Sequence, residues 1–223
     1  MKTYGRIIGV LFLLSMICGG FGEVYVPSQL IVSGDAAATA RNLQANDWLF
    51  RVGFASYLVE ALCDIALALL FYYLLRPVRR DVALLAAFFG ILSTALFAVA
   101  EMFYFSASLV LRNADYLRAF SPEQRDVLAM LALRMYGLGG GIFMAFYGIA
   151  TLLRGVLIFR SGYLPKFLGV LMVIAGAGFI VKNFTLVLAP AYSSDLFLLP
   201  MFAAGLALTV WFLTKGVSQP AAL

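Results

Sequence analysis

The 223-residue sequence contains no histidine and only two cysteines, Cys18 and Cys63. Zinc, copper and haem sites lean on imidazole and thiolate ligands, so this shortage removes most metal and haem chemistry, and no metal or cofactor is expected. Without histidine, a serine or cysteine nucleophile would need activation by lysine or a carboxylate. No such pair stands out, no catalytic residue is assigned, and the balance is against an enzyme. The run Gly137-Leu-Gly-Gly-Gly141 lies inside an apolar helix, without the strand-turn-helix setting of a phosphate loop. Charge is scarce as well: 12% of residues are charged, against about a quarter in soluble domains. Both cysteines sit in apolar runs and read as small buried side chains rather than a disulfide.

What is present is apolar. Hydrophobic residues make up 64% of the chain and the mean hydropathy is +0.98. Runs at about 5–25, 51–75, 82–110, 127–153, 166–190 and 195–214 are each long enough to cross a bilayer. The expected fold is all-α: a polytopic membrane protein, a six-transmembrane-helix bundle forming a single integral membrane domain over residues 1–223. The basic, apolar start could pass for a signal peptide, but Ile17 stands before Cys18 where a lipobox needs a small residue. It reads as a retained first span. With both termini inside, the inner side carries nine cations (Lys2, Arg6, Arg76, Arg79, Arg80, Arg154, Arg160, Lys166, Lys215) against Asp81. The outer side carries five cations against seven acids. The positive-inside rule then places both termini in the cytoplasm of a bacterial inner membrane. The net charge of +5 is thus explained by topology, and nucleic acid is not an expected partner. The expected partners are the lipid bilayer, a small molecule or ion, and further copies of the chain.

Two connections carry start signals. Asp35 precedes Ala36-Ala-Ala-Thr and can cap a short outer-surface helix before the second span, with Leu43 and Trp48 available for its apolar face. Ser121-Pro-Glu-Gln124 combines a capping serine, proline at the first helical position and glutamine three residues after the cap, and marks the start of the fourth span.

Five ionisable groups lie inside the spans: Glu60, Asp64, Glu101, Arg134 and Lys182. Each costs about 2.5–3.5 kcal/mol at a bilayer centre on insertion scales, so all are expected to point inward. At about 1.5 Å per residue, Glu60, Arg134 and Lys182 converge on the outer half of the membrane, with Asp64 about one turn deeper and Glu101 nearer the surface. Arg134, Gly137, Gly141, Ala145 and Gly148 recur at spacings of three and four, a small-residue stripe suited to close helix packing, and Gly178 shares a face with Lys182. These groups support two functional readings. In one, Glu60, Asp64 and Arg134, with Lys182 and Glu101 as further candidates, bind an ion or small ligand in an outward-biased polar cavity, as a transporter would. In the other they are structural ion pairs in a non-catalytic interaction or stress-sensing protein.

Three stretches, LIVSGDAAATARNLQANDWLFRVG, CDIALALLFYYLLRPVRRDVALLAAFF and FRSGYLPKFLGVLMVIAGAGF, resemble the bacterial multi-pass family known as domain of unknown function 4386. The resemblance spans nearly the whole chain and implies a small polytopic protein of no assigned activity. It also implies histidine in relatives near Arg134 and Ala150, arginine near Gly90 and aspartate near Lys182, so that charge on the fourth and fifth spans is adjustable. Shared openings of the first and fifth spans are too short to establish an internal repeat.

Overall fold

The structure, a computed structural model, describes residues 2–112 and 114–217. Among these residues all regular structure is helical: α1 (Lys2–Gly19), α2 (Val26–Leu30), α3 (Ala36–Ala45), α4 (Asp47–Leu75), α5 (Arg80–Val110), α6 (Pro122–Arg160), α7 (Lys166–Leu188) and α8 (Leu199–Thr214). Six segments are long and apolar enough to cross a membrane: Thr3–Leu30, Asp47–Leu75, Arg80–Val110, Pro122–Arg160, Lys166–Leu188 and Asp195–Thr214. Helices are the natural solution because each satisfies its own backbone polar groups where no water can. The first span is longer than the hydropathy run suggests, because α1 continues through a π-helical turn, Gly20–Tyr25, into α2.

Both start signals act as the residue types dictate. Asp35 Oδ1 accepts the Ala38 N–H at 2.8 Å and opens α3. At α6 the reciprocal box is complete: Ser121 Oγ accepts from the Gln124 N–H at 3.3 Å, and Gln124 Oε1 accepts from the Ser121 N–H at 2.8 Å. Leu43 is buried on α3, but Trp48 is 77% exposed and takes no part in that helix's apolar face. The two are separated at Asn46, whose backbone leaves the helix at φ −123°.

The chain divides into two compact units, residues 1–16, 62–95 and 141–223 forming the first and 17–61 and 96–140 the second. In the first unit, α6 and α7 form an antiparallel hairpin around Gly162, whose φ of +72° belongs to the left-handed region that glycine tolerates. Their contact is a ladder of glycines. A Cβ on Gly155 would meet Gly169 O at 2.8 Å, and one on Gly169 would meet Gly155 O at 2.7 Å. Seven residues back on α6 and seven on along α7, a Cβ on Gly148 would lie 2.9 Å from Gly176 O and one on Gly176 2.6 Å from Gly148 O. One heptad on again, Gly141 faces Asn183 Oδ1. Heptad spacing returns a helix face to nearly the same direction, so the same seam is presented three times. α1 and α8 are likewise antiparallel, with Gly5 against Gly216, Gly9 against Leu213 and Met16 against Gly205. Phe71, Leu75, Leu157, Ile158, Leu168 and Phe212 fill the core of this unit.

The small-residue stripe of α6 is therefore a packing seam at Gly141 and Gly148, and Gly178 packs on Phe197 O, but Gly137 is a correction. It is exposed and a Cβ there would meet nothing within 4 Å. Ala145 is half-buried.

In the second unit Phe50 stacks on Tyr104 with ring centroids 4.4 Å apart, and Tyr57 lies edge-on to Phe97 at 5.7 Å. α3 is tied to the end of α2 by Asn42, whose Nδ2 donates to Leu30 O at 3.3 Å, and by Thr39, whose Oγ1 accepts from the Val32 N–H at 3.0 Å.

Candidate functional site

The second unit gathers an acidic centre from four chain segments. The π-helical turn Gly-Phe-Gly-Glu-Val-Tyr carries Glu23 and leaves Gly22 without a side chain where α4 comes closest: a Cβ there would sit 2.6 Å from Ser56 Oγ and 3.2 Å from the Tyr57 ring. Through that gap the Tyr57 hydroxyl donates to Gly22 O at 2.6 Å, and it accepts from the Tyr136 hydroxyl at 3.0 Å. Tyr57, Tyr104 and Tyr136, from α4, α5 and α6, form a triangle with ring centroids 5.3, 5.2 and 6.1 Å apart. Insertions of π-helix recur at functional sites because they free carbonyls and re-aim side chains, and this one aims Glu23 at the triangle.

Glu101 lies one turn before Tyr104 on α5, is 3% exposed, and neither of its carboxylate oxygens has a hydrogen-bond partner among the described residues. The Tyr104 hydroxyl is buried and likewise has no hydrogen-bond partner among the described residues. Glu101 is in electrostatic contact with Glu23 and with all three tyrosines. Two acids and three phenols thus share an apolar setting in which an isolated carboxylate anion is costly, since buried charges are ordinarily paired, bonded or neutralised. Glu60 is another acid of this unit, and its carboxylate rests on the bare backbone of Gly19, where a Cβ would meet Oε1 at 2.8 Å.

The first unit holds a second polar centre with both signs of charge. Asp64 Oδ1 accepts from the Ser15 hydroxyl at 3.1 Å. Arg154 is 4% exposed and interacts electrostatically with Asp64. Its guanidinium lies 5.4 Å over the Phe71 ring and fills the space that Gly90 leaves beside Ala68. Nε of Arg154 and Oγ1 of Thr151, one turn earlier on α6, are buried without hydrogen-bond partners among the described residues.

The five intramembrane groups separate accordingly. Glu60 and Glu101 fall in the second unit and Asp64 in the first. Glu101, placed nearer the surface by sequence depth, is deeply buried because α5 turns it toward the tyrosines. Lys182 pairs with Asp195 at 2.9 Å, beside the Gly178 contact with Phe197, and so joins α7 to the segment before α8. Arg134 corrects the expectation that all five point inward: it is exposed, on the same open face as Gly137. Sequence reasoning misses two residues central to these sites. Glu23 reads as an outer-side acid and Arg154 as an inner-side cation, because both stand near the ends of apolar runs, where hydropathy cannot tell a boundary charge from a buried one. The Gly19-Gly20-Phe21-Gly22 cluster before Glu23 is the one available signal of an irregular helix there.

Among the described residues no group of three or more histidine, cysteine, aspartate or glutamate side chains could hold a metal ion.

An uncharacterised protein of Archaeoglobus fulgidus is 30% identical over 118 residues, covering 53% of this chain and 57% of that protein, so the chain spans little more than half the length of this curated relative. No solved structure matches. The family described as Domain of unknown function (DUF4386) matches residues 7–216, and with nearly the whole sequence inside that match the chain belongs to this family.

Proposed function

We propose that this protein binds a proton or small monovalent cation at the Glu101–Glu23 centre, in a transport-like role in the bacterial inner membrane with both termini in the cytoplasm. The observation that carries the reading is the Glu101 carboxylate, buried with both oxygens lacking a hydrogen-bond partner among the described residues. Desolvating an unbonded carboxylate costs several kcal/mol, and a bound proton or cation removes that cost. Tyr104 supplies a rotatable hydroxyl, Glu23 a second carboxylate, and the π-helical turn backbone carbonyls; Tyr57 and Tyr136 hold the turn in place through their hydrogen bonds. The distribution of lysine and arginine supports the orientation.

The test is ion-dependent stabilisation of the purified protein across protons, Li⁺, Na⁺ and K⁺, followed by flux in proteoliposomes, with Glu101→Gln and Glu23→Gln. Wild type is expected to respond to one ion and E101Q to lose that response while remaining folded, because glutamine keeps the shape without the charge. Equal responses of wild type and both variants to every ion would sink the proposal. A second reading, a non-catalytic interaction or stress-sensing protein, draws on the Lys182–Asp195 pair and on Asp64, which is bonded by Ser15 within the field of Arg154. It predicts a partner that co-purifies with the wild type and is lost when the Arg76–Asp81 connection is changed.

A further inference from the structure

A separate cavity of about 450 Å³ opens in the second unit where α3 meets the start of α4 and the end of α5. It is lined by Leu43, Gln44, Asp47, Arg51, Ser108, Leu111 and Arg112. Its walls are built from contacts already forced by the chain. Gln44 Nε2 donates to Leu111 O at 3.3 Å and fastens α3 to the last turn after α5, and the helix-start residue Asp47 pairs with Arg51 at 2.6 Å. Arg112 forms no ion pair among the described residues and is exposed at the mouth. The cavity therefore presents two guanidinium groups and one carboxylate, a net positive charge, above two leucines.

Its level in the membrane narrows the ligand. Both spans that line it end here, and Trp48 and Tyr116 are 77% and 73% exposed in the flanking segments, as aromatic residues are where headgroups meet hydrocarbon. Guanidinium groups recognise phosphate oxygens through paired N–H donors, and a volume within the ordinary range of ligand pockets admits a glycerol phosphate. We propose that this cavity binds a phosphate ester of glycerol, its phosphate on Arg112 and Arg51 and its glycerol end against Leu43 and Leu111. Phosphatidylglycerol in the surrounding bilayer and soluble glycerol phosphate share this chemistry. The inference does not depend on the ion site, because none of its residues belongs to the acidic centre.

The test is binding to the full chain in a neutral detergent, using dihexanoyl phosphatidylglycerol, glycerol phosphate and dihexanoyl glycerol as probes. Phosphatidylglycerol is expected to bind, Arg112→Gln to weaken it about tenfold through loss of a charge-assisted contact, and Asp47→Asn to tighten it by releasing Arg51. Opposite signs from two surface variants cannot both arise from misfolding, and unchanged unfolding midpoints without probe confirm the fold of each. Glycerol phosphate binding as tightly as the lipid would support the site with a soluble ligand; much weaker binding would support it with the lipid. Binding of dihexanoyl glycerol equal to the phospholipid, or an affinity untouched by R112Q, would overturn the proposal.

Discussion

Adding one methyl group to Gly176 tests the glycine ladder between α6 and α7. A Cβ at this position would lie 2.6 Å from both Gly148 O and Leu152 N and 2.8 Å from the Leu152 side chain. Two of those atoms are backbone and cannot swing aside, so the helices must part by several tenths of an ångström. Overpacking of this kind costs about 1–3 kcal/mol. Alanine is also the better helix former by about 0.8–1.0 kcal/mol, which offsets part of the loss and leaves a net destabilisation of about 0–2 kcal/mol. Gly137→Ala is the matched control, since it offers the same gain in helix propensity with nothing within 4 Å to clash. Reversible unfolding in mixed micelles should therefore place G137A at or above wild type and G176A below G137A by about 1–3 kcal/mol, since the propensity gain common to both cancels. Gly155→Ala and Gly169→Ala should each resemble G176A, and combined should cost less than their sum, because the first substitution opens the gap that the second needs. A G176A protein as stable as G137A, or more stable, would refute the close-packed seam.

Three further outcomes are expected. Burial pushes the Tyr163 hydroxyl up to about 12 from its ordinary 10, so folding disfavours its phenolate; this contribution is intact below pH 10 and is lost as pH rises toward 12. The unfolding midpoint should fall over that window, and Tyr163→Phe should fall less steeply. Asp35→Ala should cost about 1 kcal/mol through loss of the α3 cap, read as faster hydrogen exchange confined to residues 36–45. Asp64→Leu should lower stability by about 3 kcal/mol by removing the carboxylate that the buried guanidinium faces, whereas Asp64→Leu combined with Arg154→Met should recover most of that loss; a double variant no more stable than Asp64→Leu alone would contradict the pairing.

Much of the architecture was legible in the sequence, because the six spans and both capped starts depend on local composition and short-range chemistry. Asp35 and Ser121 act through atoms three residues away, and nothing distant can alter that. The facing of charges was less legible, since it depends on the rotation of each helix. Arg134 and Gly148 lie on one idealised stripe, yet Arg134 is exposed and Gly148 is buried against α7. α6 is 39 residues long and its opposite ends meet different surroundings, so one helical phase does not describe both. The heptad partners Gly155, Gly169 and Gly176 do not stand out along either helix by itself, because the ladder exists only in the pairing of two. Likewise Glu23 acquires its place from the extra turn of π-helix, which rotates the residues after it by an amount that hydropathy does not register.

The heptad repeat of the ladder leaves the hairpin with a degeneracy. Sliding α7 by two turns would set Gly169 against Gly148 and Gly176 against Gly141, a seam of nearly the same smoothness, so the glycines alone do not choose between the two alignments. The choice rests with the short turn between Arg160 and Lys166. Tyr163 donates its hydroxyl to Leu74 O, Ser161 Oγ accepts from the Leu164 N–H at 3.2 Å, and Leu164 is buried in the core; all three contacts would be surrendered by the slipped form. Smooth glycine faces make the helices close neighbours, and a few side chains at the bend act as the pawl that stops them from ratcheting past one another.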